Sequence, residues 1–292
     1  MSDLDQNEQS ETEKVPGFCK PYFVKTVKFP LKCPNGGYFD GEGEGHSELE
    51  LAPTTGEEED ILMNESLAES GDQIRRVLAN CLRRLGSYVL PPYEERTKED
   101  KALALKLIDG LTINDSSFAL VMLRRISVPD GDTYKFEHKC SQCGSKVHSF
   151  IARANLADME VRPFPSTGKP GLFKLPLSGK TVRYRNLTVA DSSRLMDLVR
   201  KYAEALPSMG LFLRIVDIDG ASVASYRDLK RFSTIDREAL RTKMEETEGG
   251  MDLSLNITCP KGHAETRMLV PDTSFFIPSF SNTRLPPSQD TP

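Results

Sequence analysis

The chain has 292 residues, of which 38% are hydrophobic, and a net charge of −5; this length is enough for two ordinary domains or one large one. The acidic balance gives no general reason to expect nucleic-acid binding, which requires a concentrated basic face. Residues 1–14 contain no basic segment followed by an apolar one, so we expect no secretory signal. No apolar run is long enough to cross a bilayer. These features favour the cytosol, where paired cysteines more often bind metal than form disulfides.

The first half of the chain begins with a polar tail and continues with a strand and a capped helix. Residues 1–15 are low in apolar content and predict disorder. An extended segment at 47–51 precedes Thr55, whose hydroxyl lies three residues before Glu58, as in a capping box. An apolar stripe with i, i+3, i+4 spacing then predicts a helix, and it consists of Ile74, Val77, Leu78, Cys81, Leu82 and Leu85. Most of the arginines that occur in pairs among apolar residues, at 75–76, 83–84 and 124–125, are expected on solvated helix faces.

Two more helices and a hairpin complete the first half. A helical segment at 98–108 is followed by Thr112, which we expect to be the N-cap of another helix, with Asp115 in its first turn. The chain then turns and enters an alternating strand around Tyr134, which leads to Cys140. A second strand leaves the cysteine motif.

The second half repeats this succession in the same order. The matched segments are 28–31 with 174–177, 55–58 with 188–191, 111–115 with 232–236, and the two strand pairs that flank the cysteine motifs. Four matches in one order indicate a degenerate duplication. We therefore predict an α+β fold with two repeats of helices and short antiparallel β-hairpins. The lobes would be residues 16–165 and 166–280, between disordered tails at 1–15 and 281–292.

Two short cysteine motifs, one at the end of each repeat, predict a single zinc site. Cys140 and Cys143 form a CxxC knuckle, and Cys259 and His263 supply the other two corners of a tetrahedron. Three thiolates and one imidazole are a common structural ligand set and leave no open coordination position. The second motif departs from a four-cysteine pattern, because Gly262 stands where its second cysteine would be.

Other interpretations of these residues stay open. His138 and His148 flank the first knuckle and are alternative ligands. The cysteines could also pack as small hydrophobic residues without a metal. A redox-active CxxC motif is typical of a helix N-terminus, where the helix dipole lowers a thiol pKa. The motif at Cys140 and Cys143 lies instead between two predicted strands. Sequence signatures of nucleophilic, metal-dependent and phosphate-binding catalysis are absent, so we expect no enzymatic activity and no small-molecule substrate.

The order of these motifs resembles the baseplate hub and assembly proteins of T-even-type contractile phages. Members of that group often carry an opening of the LP-x-G type followed by R-x-L-T-x-x-D; here the opening is Leu175–Gly179, with two residues between its proline and its glycine, and the second motif is Arg185–Asp191. The likeness covers roughly residues 23–280. It implies a non-enzymatic protein of tail assembly, with other baseplate or hub proteins as partners, present in the host cytoplasm during assembly. Retention in the virion and action as an assembly chaperone both remain open.

A zinc-ribbon adaptor that binds nucleic acid is the alternative function. It predicts binding to DNA or RNA that weakens steeply with salt, because phosphate contacts release counterions.

Overall fold

The computed structural model describes residues 25–28, 48–143, 149–162, 171–201, 206–271 and 273–277. Within those ranges the chain is a mixed α+β protein with ten helices and several small antiparallel sheets, which confirms the predicted fold class. The strands are β1 (Lys25–Lys28), β2 (Glu48–Leu51), β3 (Leu82–Leu85), β4 (Tyr88–Val89), β5 (Thr133–His138), β6 (Phe150–Asn155), β7 (Val161–Arg162), β8 (Gly171–Lys174), β9 (Thr181–Tyr184), β10 (Ile215–Ile218), β11 (Gly250–Met251), β12 (Ser254–Thr258) and β13 (Ala264–Met268). The helices are α1 (Gly56–Met63), α2 (Glu65–Ser70), α3 (Gln73–Cys81), α4 (Lys98–Gly110), α5 (Ile113–Ser127), α6 (Val189–Lys201), α7 (Leu206–Arg214), α8 (Tyr226–Leu229), α9 (Thr234–Thr247) and α10 (Thr273–Phe276). The two predicted tails lie outside the described residues.

One succession of elements occurs twice along the chain. Each time, two strands precede helices, a third strand follows directly from a helix and pairs with the second strand, and a long helix precedes a hairpin. In the first repeat these elements are β1, β2, α1, α3, β3, α5, β5 and β6, and in the second they are β8, β9, α6, α7, β10, α9, β12 and β13. The strand pairs are antiparallel in both repeats. The order of these elements thus recurs along the chain, while the division into two lobes at 16–165 and 166–280 stays a prediction.

Hydroxyl side chains lie at the helix starts where the sequence predicts them. Thr55 forms a complete capping box at the start of α1. Thr112 and Ser233 each accept the backbone amide three residues further on, at 3.1 and 3.0 Å. Thr188 donates its amide and its hydroxyl to the Asp191 carboxylate at 2.9 and 3.0 Å. Such caps provide partners for the amides that the first turn of a helix leaves unpaired.

The prediction of one helix over the whole apolar stripe is wrong for the C-terminal end of the stripe. α3 ends at Cys81, and residues 82–85 form strand β3, which pairs with β2. The Arg96 guanidinium donates to the carbonyl of Ala79 at 2.7 Å, one of the acceptors that a helix end leaves without an intrahelical partner. Contacts from distant parts of the chain therefore end this helix, although the apolar spacing would allow it to continue.

Two of the arginines expected on solvated helix faces are buried. Arg83 is 9% exposed and donates to the carbonyl of Asn80 at 2.8 Å. Arg124 is 4% exposed, and its guanidinium lies 5.1 Å from the ring centre of Tyr134 and 4.9 Å from that of Phe275. The negative face of an aromatic ring attracts a guanidinium. The prediction fails here because carbonyls and rings replace water around the charge.

The described residues form two hydrophobic cores that do not follow the division into repeats. The larger core contains side chains from β2, α3, β3, α4, α5, β5 and β6 of the first repeat, together with Leu255, Ile257 and Phe275 of the second. The smaller core lies among β9, α7, β10 and α9 and includes Val182, Ile215 and Leu240. The second hairpin, β12–β13, thus packs on the core of the first repeat, beside β6. This packing brings the two cysteine motifs together.

Candidate metal centre

The first cysteine motif lies at the end of the hairpin formed by β5 and β6. The strands pair without a bulge from Thr133–Asn155 to His138–Phe150, and Cys140 follows two residues after His138, at the turn end of the hairpin. Cys140 is 2% exposed and Cys143 is half-buried. Residues 144–148, which include the alternative ligand His148, lie outside the described residues.

The second motif forms a tight turn between β12 and β13. The Cys259 amide donates to the carbonyl of His263 at 2.9 Å, and the Gly262 amide donates to the carbonyl of Cys259 at 2.8 Å. Gly262 has a φ of +86°, in the left-handed region that glycine adopts without a steric penalty. The turn therefore favours glycine where a four-cysteine motif would have its last ligand, and the predicted ligand His263 is the next residue.

The structure brings together all four predicted ligands. Their donor atoms lie within 4.8 Å of one another. The Cys143 and Cys259 sulfurs are 3.8 Å apart, and His263 Nδ1 lies 3.6, 3.1 and 3.5 Å from the sulfurs of Cys140, Cys143 and Cys259. Zinc bonds of about 2.3 Å to sulfur and about 2.0–2.1 Å to nitrogen imply edges of about 3.8 Å and about 3.6 Å in a regular tetrahedron. The residues lie close enough to bind a metal ion, and the distances are consistent with zinc.

The thiols influence one another's protonation. Burial, followed by hydrogen bonds with Cys140 and Cys259, raises the pKa of Cys143 to about 11. Burial also raises the pKa of Cys259, but backbone hydrogen bonds from His263 and Lys261 outweigh this effect and lower that pKa to about 7. Opposite shifts are expected where neighbouring thiols share negative charge. A bound cation would relieve this repulsion, because a metal-coordinating thiol is deprotonated outright.

Glu265 connects the two motifs and was not identified from the sequence. One carboxylate oxygen accepts the Ser141 amide at 2.8 Å, its hydroxyl at 2.6 Å and the Cys140 thiol at 3.4 Å. The other oxygen lies 2.7 Å from His138 Nε2. These contacts, led by Ser141 and then by His138, lower the pKa of Glu265 to about 2. The available sequence signal was its position two residues after His263, because alternate residues of a strand share one face.

His138 lies beside the cluster rather than within it. Its Nε2 atom contacts Glu265, as just described, and its ring packs edge-on against Phe150 with the centroids 5.6 Å apart. Among the described residues, the group of donor atoms close enough for a metal consists of Cys140, Cys143, Cys259 and His263. His138 therefore supports Glu265, which in turn orients the first motif. Carboxylates and histidines in this position fix the ligands of metal sites.

Cys81, the remaining cysteine within the described ranges, is not part of this group of donor atoms. It is 2% exposed on α3 and belongs to the larger core, as the apolar stripe predicted. Burial raises its pKa well above the usual value, so the thiol stays protonated.

Comparison with known proteins adds no assignment: no family model, curated protein or solved structure matches this chain. Among the described residues, no helix is both long and apolar enough to cross a membrane.

Proposed function

We propose that this protein is a non-enzymatic scaffold in the assembly of the central hub of a contractile phage tail baseplate, with a structural zinc ion joining its two hairpins. The four-donor cluster is the observation that carries the scaffold role. Its three sulfurs and one nitrogen come from two hairpins separated by more than a hundred residues of chain. Four protein ligands complete a tetrahedron and leave no position for a substrate or a water, which is the pattern of structural zinc sites.

Zinc is the metal that suits this donor set best. Thiolate and imidazole ligands in a tetrahedron favour zinc, whereas Mg²⁺ and Ca²⁺ require oxygen ligands. Such a site contributes on the order of 10 kcal/mol of apparent binding free energy at the low end of the range for structural zinc. Bound zinc would hold the second hairpin against the first, and so keep both repeats in one orientation for partner subunits.

The residues that resemble the phage family support a scaffold role. Arg185 donates to the Asp191 carboxylate at 2.8 Å, and Thr188 donates to the same group. Leu175 is 1% exposed in the smaller core, and Gly179 adopts a φ of +68° in the turn that follows. These positions hold the second repeat together and do not converge on a reactive group, as expected for a protein that presents surfaces to other subunits.

A deletion experiment in the phage that encodes this protein tests the proposal. We expect lysates of the deletion mutant to lack normal contractile tails by electron microscopy, and expression of the wild-type chain from a plasmid to restore them. Tagged protein from infected cells should co-purify with other baseplate or hub proteins. Mass spectrometry of purified virions then distinguishes a retained component from a chaperone of the host cytoplasm. Normal tails in the deletion mutant would refute the proposal.

A further inference from the structure

Two sulfurs of the metal centre belong to different hairpins and lie close together. Both cysteines are free thiols, and the Cys143 and Cys259 sulfurs are 3.8 Å apart. A disulfide bond measures about 2.0 Å, so the two atoms would have to approach each other by about 1.8 Å. Rotation of a side chain between rotamers moves a sulfur over a comparable distance. These two sulfurs therefore form a possible disulfide pair across the hairpins, distinct from the CxxC pair within the first motif.

Contacts that do not involve a metal hold the two hairpins together. Leu255 and Ile257 of β12 are buried in the larger core with Ala152 of β6. The Glu265 carboxylate of β13 accepts the amide and the hydroxyl of Ser141 in the first motif. The two sulfurs thus stay close together even without a metal, and reacting groups that a fold holds side by side react as if at high concentration.

The three cysteines of the centre differ in their access to solvent. Cys143 is half-buried, whereas Cys140 is 2% exposed and Cys259 is 4% exposed. The Glu265 carboxylate also covers the Cys140 sulfur, at 3.4 Å. Oxidation of cysteines follows their thiolate character and their exposure. A dissolved oxidant therefore reaches the Cys143 sulfur first.

We propose that a peroxide converts the metal centre into a disulfide between Cys143 and Cys259, with release of the zinc ion. Bound zinc keeps its cysteine ligands as thiolates. The Cys143 thiolate attacks one oxygen of hydrogen peroxide, the O–O bond breaks, and a sulfenic acid and a hydroxide are formed. The Cys259 thiolate then attacks the Cys143 sulfur and displaces a second hydroxide. The two thiolates lose two electrons to the peroxide, and both hydroxides take up protons and become water.

The disulfide removes two of the four zinc ligands but keeps the hairpins joined. Cys140 and His263 alone do not complete a tetrahedral site, so the zinc ion is released. The new bond links Cys143 to Cys259 across the same 116 positions of chain that the metal spanned. The cross-link thus passes from a metal ion to a covalent bond. This inference rests on the zinc ligands of the proposed function and is independent of the phage assignment.

A peroxide titration of the purified full chain measures both changes. The reduced, zinc-loaded chain is treated with increasing hydrogen peroxide, a colorimetric chelator records the released zinc, and peptide mapping without reductant identifies the bridge. We expect one zinc ion to be released for each Cys143–Cys259 disulfide formed. A dithiol reductant with added zinc should reverse both changes. A bridge between Cys140 and Cys143, or zinc release without any bridge, would overturn the proposal.

Two serine variants separate the disulfide from the metal. Cys140→Ser and Cys143→Ser each remove one zinc ligand, but only Cys143→Ser also removes a disulfide partner. Kept reduced, the two variants should have similarly lowered Tm values. Peroxide should raise the Tm of Cys140→Ser towards that of the wild type, because the disulfide closes the same loop, and should not raise that of Cys143→Ser. An equal response of the two variants would contradict the proposed pairing.

These measurements distinguish a failure of this inference from a failure of the metal centre. A purified chain without zinc would refute the metal centre and the zinc-release step, and the response of Cys140→Ser would still test the disulfide. A zinc-loaded chain in which peroxide converts Cys143 to a sulfinic acid, without a bridge to Cys259, would leave the metal centre standing and overturn the inference.

Discussion

Replacing one of the predicted sulfur ligands should remove the proposed zinc cross-link between the two hairpins. Cys143 and Cys259 are 116 residues apart in the chain, and a cross-link that closes a loop of about 100 residues removes about 4.7 kcal/mol of unfolded-chain entropy. We therefore expect Cys140→Ser to lower the free energy of unfolding by at least about 5 kcal/mol, the loop-closure part of the total, on the order of 10 kcal/mol, given for the whole site, because a serine hydroxyl does not replace the thiolate as a zinc ligand. For a chain of this size, that loss lowers the Tm by about 10 °C or more.

Elemental analysis combined with thermal unfolding provides the assay. The wild-type chain should contain about one zinc ion, as a single closed site requires, and Cys140→Ser should lose it. Cys81→Ala is the matched control, because Cys81 is buried in the core and lies outside the metal cluster. The control should lose some stability and retain its metal. Full zinc retention by Cys140→Ser, or a Tm equal to that of the wild type, would refute the ligand assignment.

Three further substitutions test the carboxylate beside the metal centre, a partly buried ion pair and the larger hydrophobic core. Glu265→Gln should weaken zinc binding about 10- to 100-fold in a chelator competition, because Glu265 orients the first motif; unchanged affinity would remove it from that role. Asp191→Asn should cost about 3 kcal/mol at pH 7, because it removes the negative charge that the buried Asp191 side chain presents to the partly buried Arg185. Burial raises the pKa of Asp191, but Arg185 and Thr188 lower it below the usual 3.8; the wild-type advantage should thus be complete above about pH 4 and disappear as the pH falls further. Urea unfolding of both proteins at several pH values checks this, and a difference that does not depend on pH would contradict it. Phe275→Ala should cost about 3–5 kcal/mol in urea unfolding, since Phe275 is fully buried in the larger core; a cost below about 1 kcal/mol would contradict its place there.

Short-range patterns were sufficient for the helix starts, the hairpins and each of the two cysteine motifs taken separately. A hydroxyl three residues before a carboxylate caps its own helix, and a CxxC spacing presents two sulfurs on one turn, whatever the rest of the chain does. The repeat then indicated that Cys140 and Cys259 occupy corresponding places. For these features the interacting atoms are close in sequence, so the sequence alone determined them.

Only the tertiary structure decided where long-range partners meet. The pairing of β3 with β2 ends α3 at Cys81, although the apolar spacing continues. Arg124 is buried because Tyr134 and Phe275 provide its surroundings. The packing of the second hairpin on the core of the first repeat brings Glu265 to the cysteine motifs. In each case the stabilising group comes from a segment that is remote in sequence. The spacing of residues within one segment does not indicate which remote segments will pack against it.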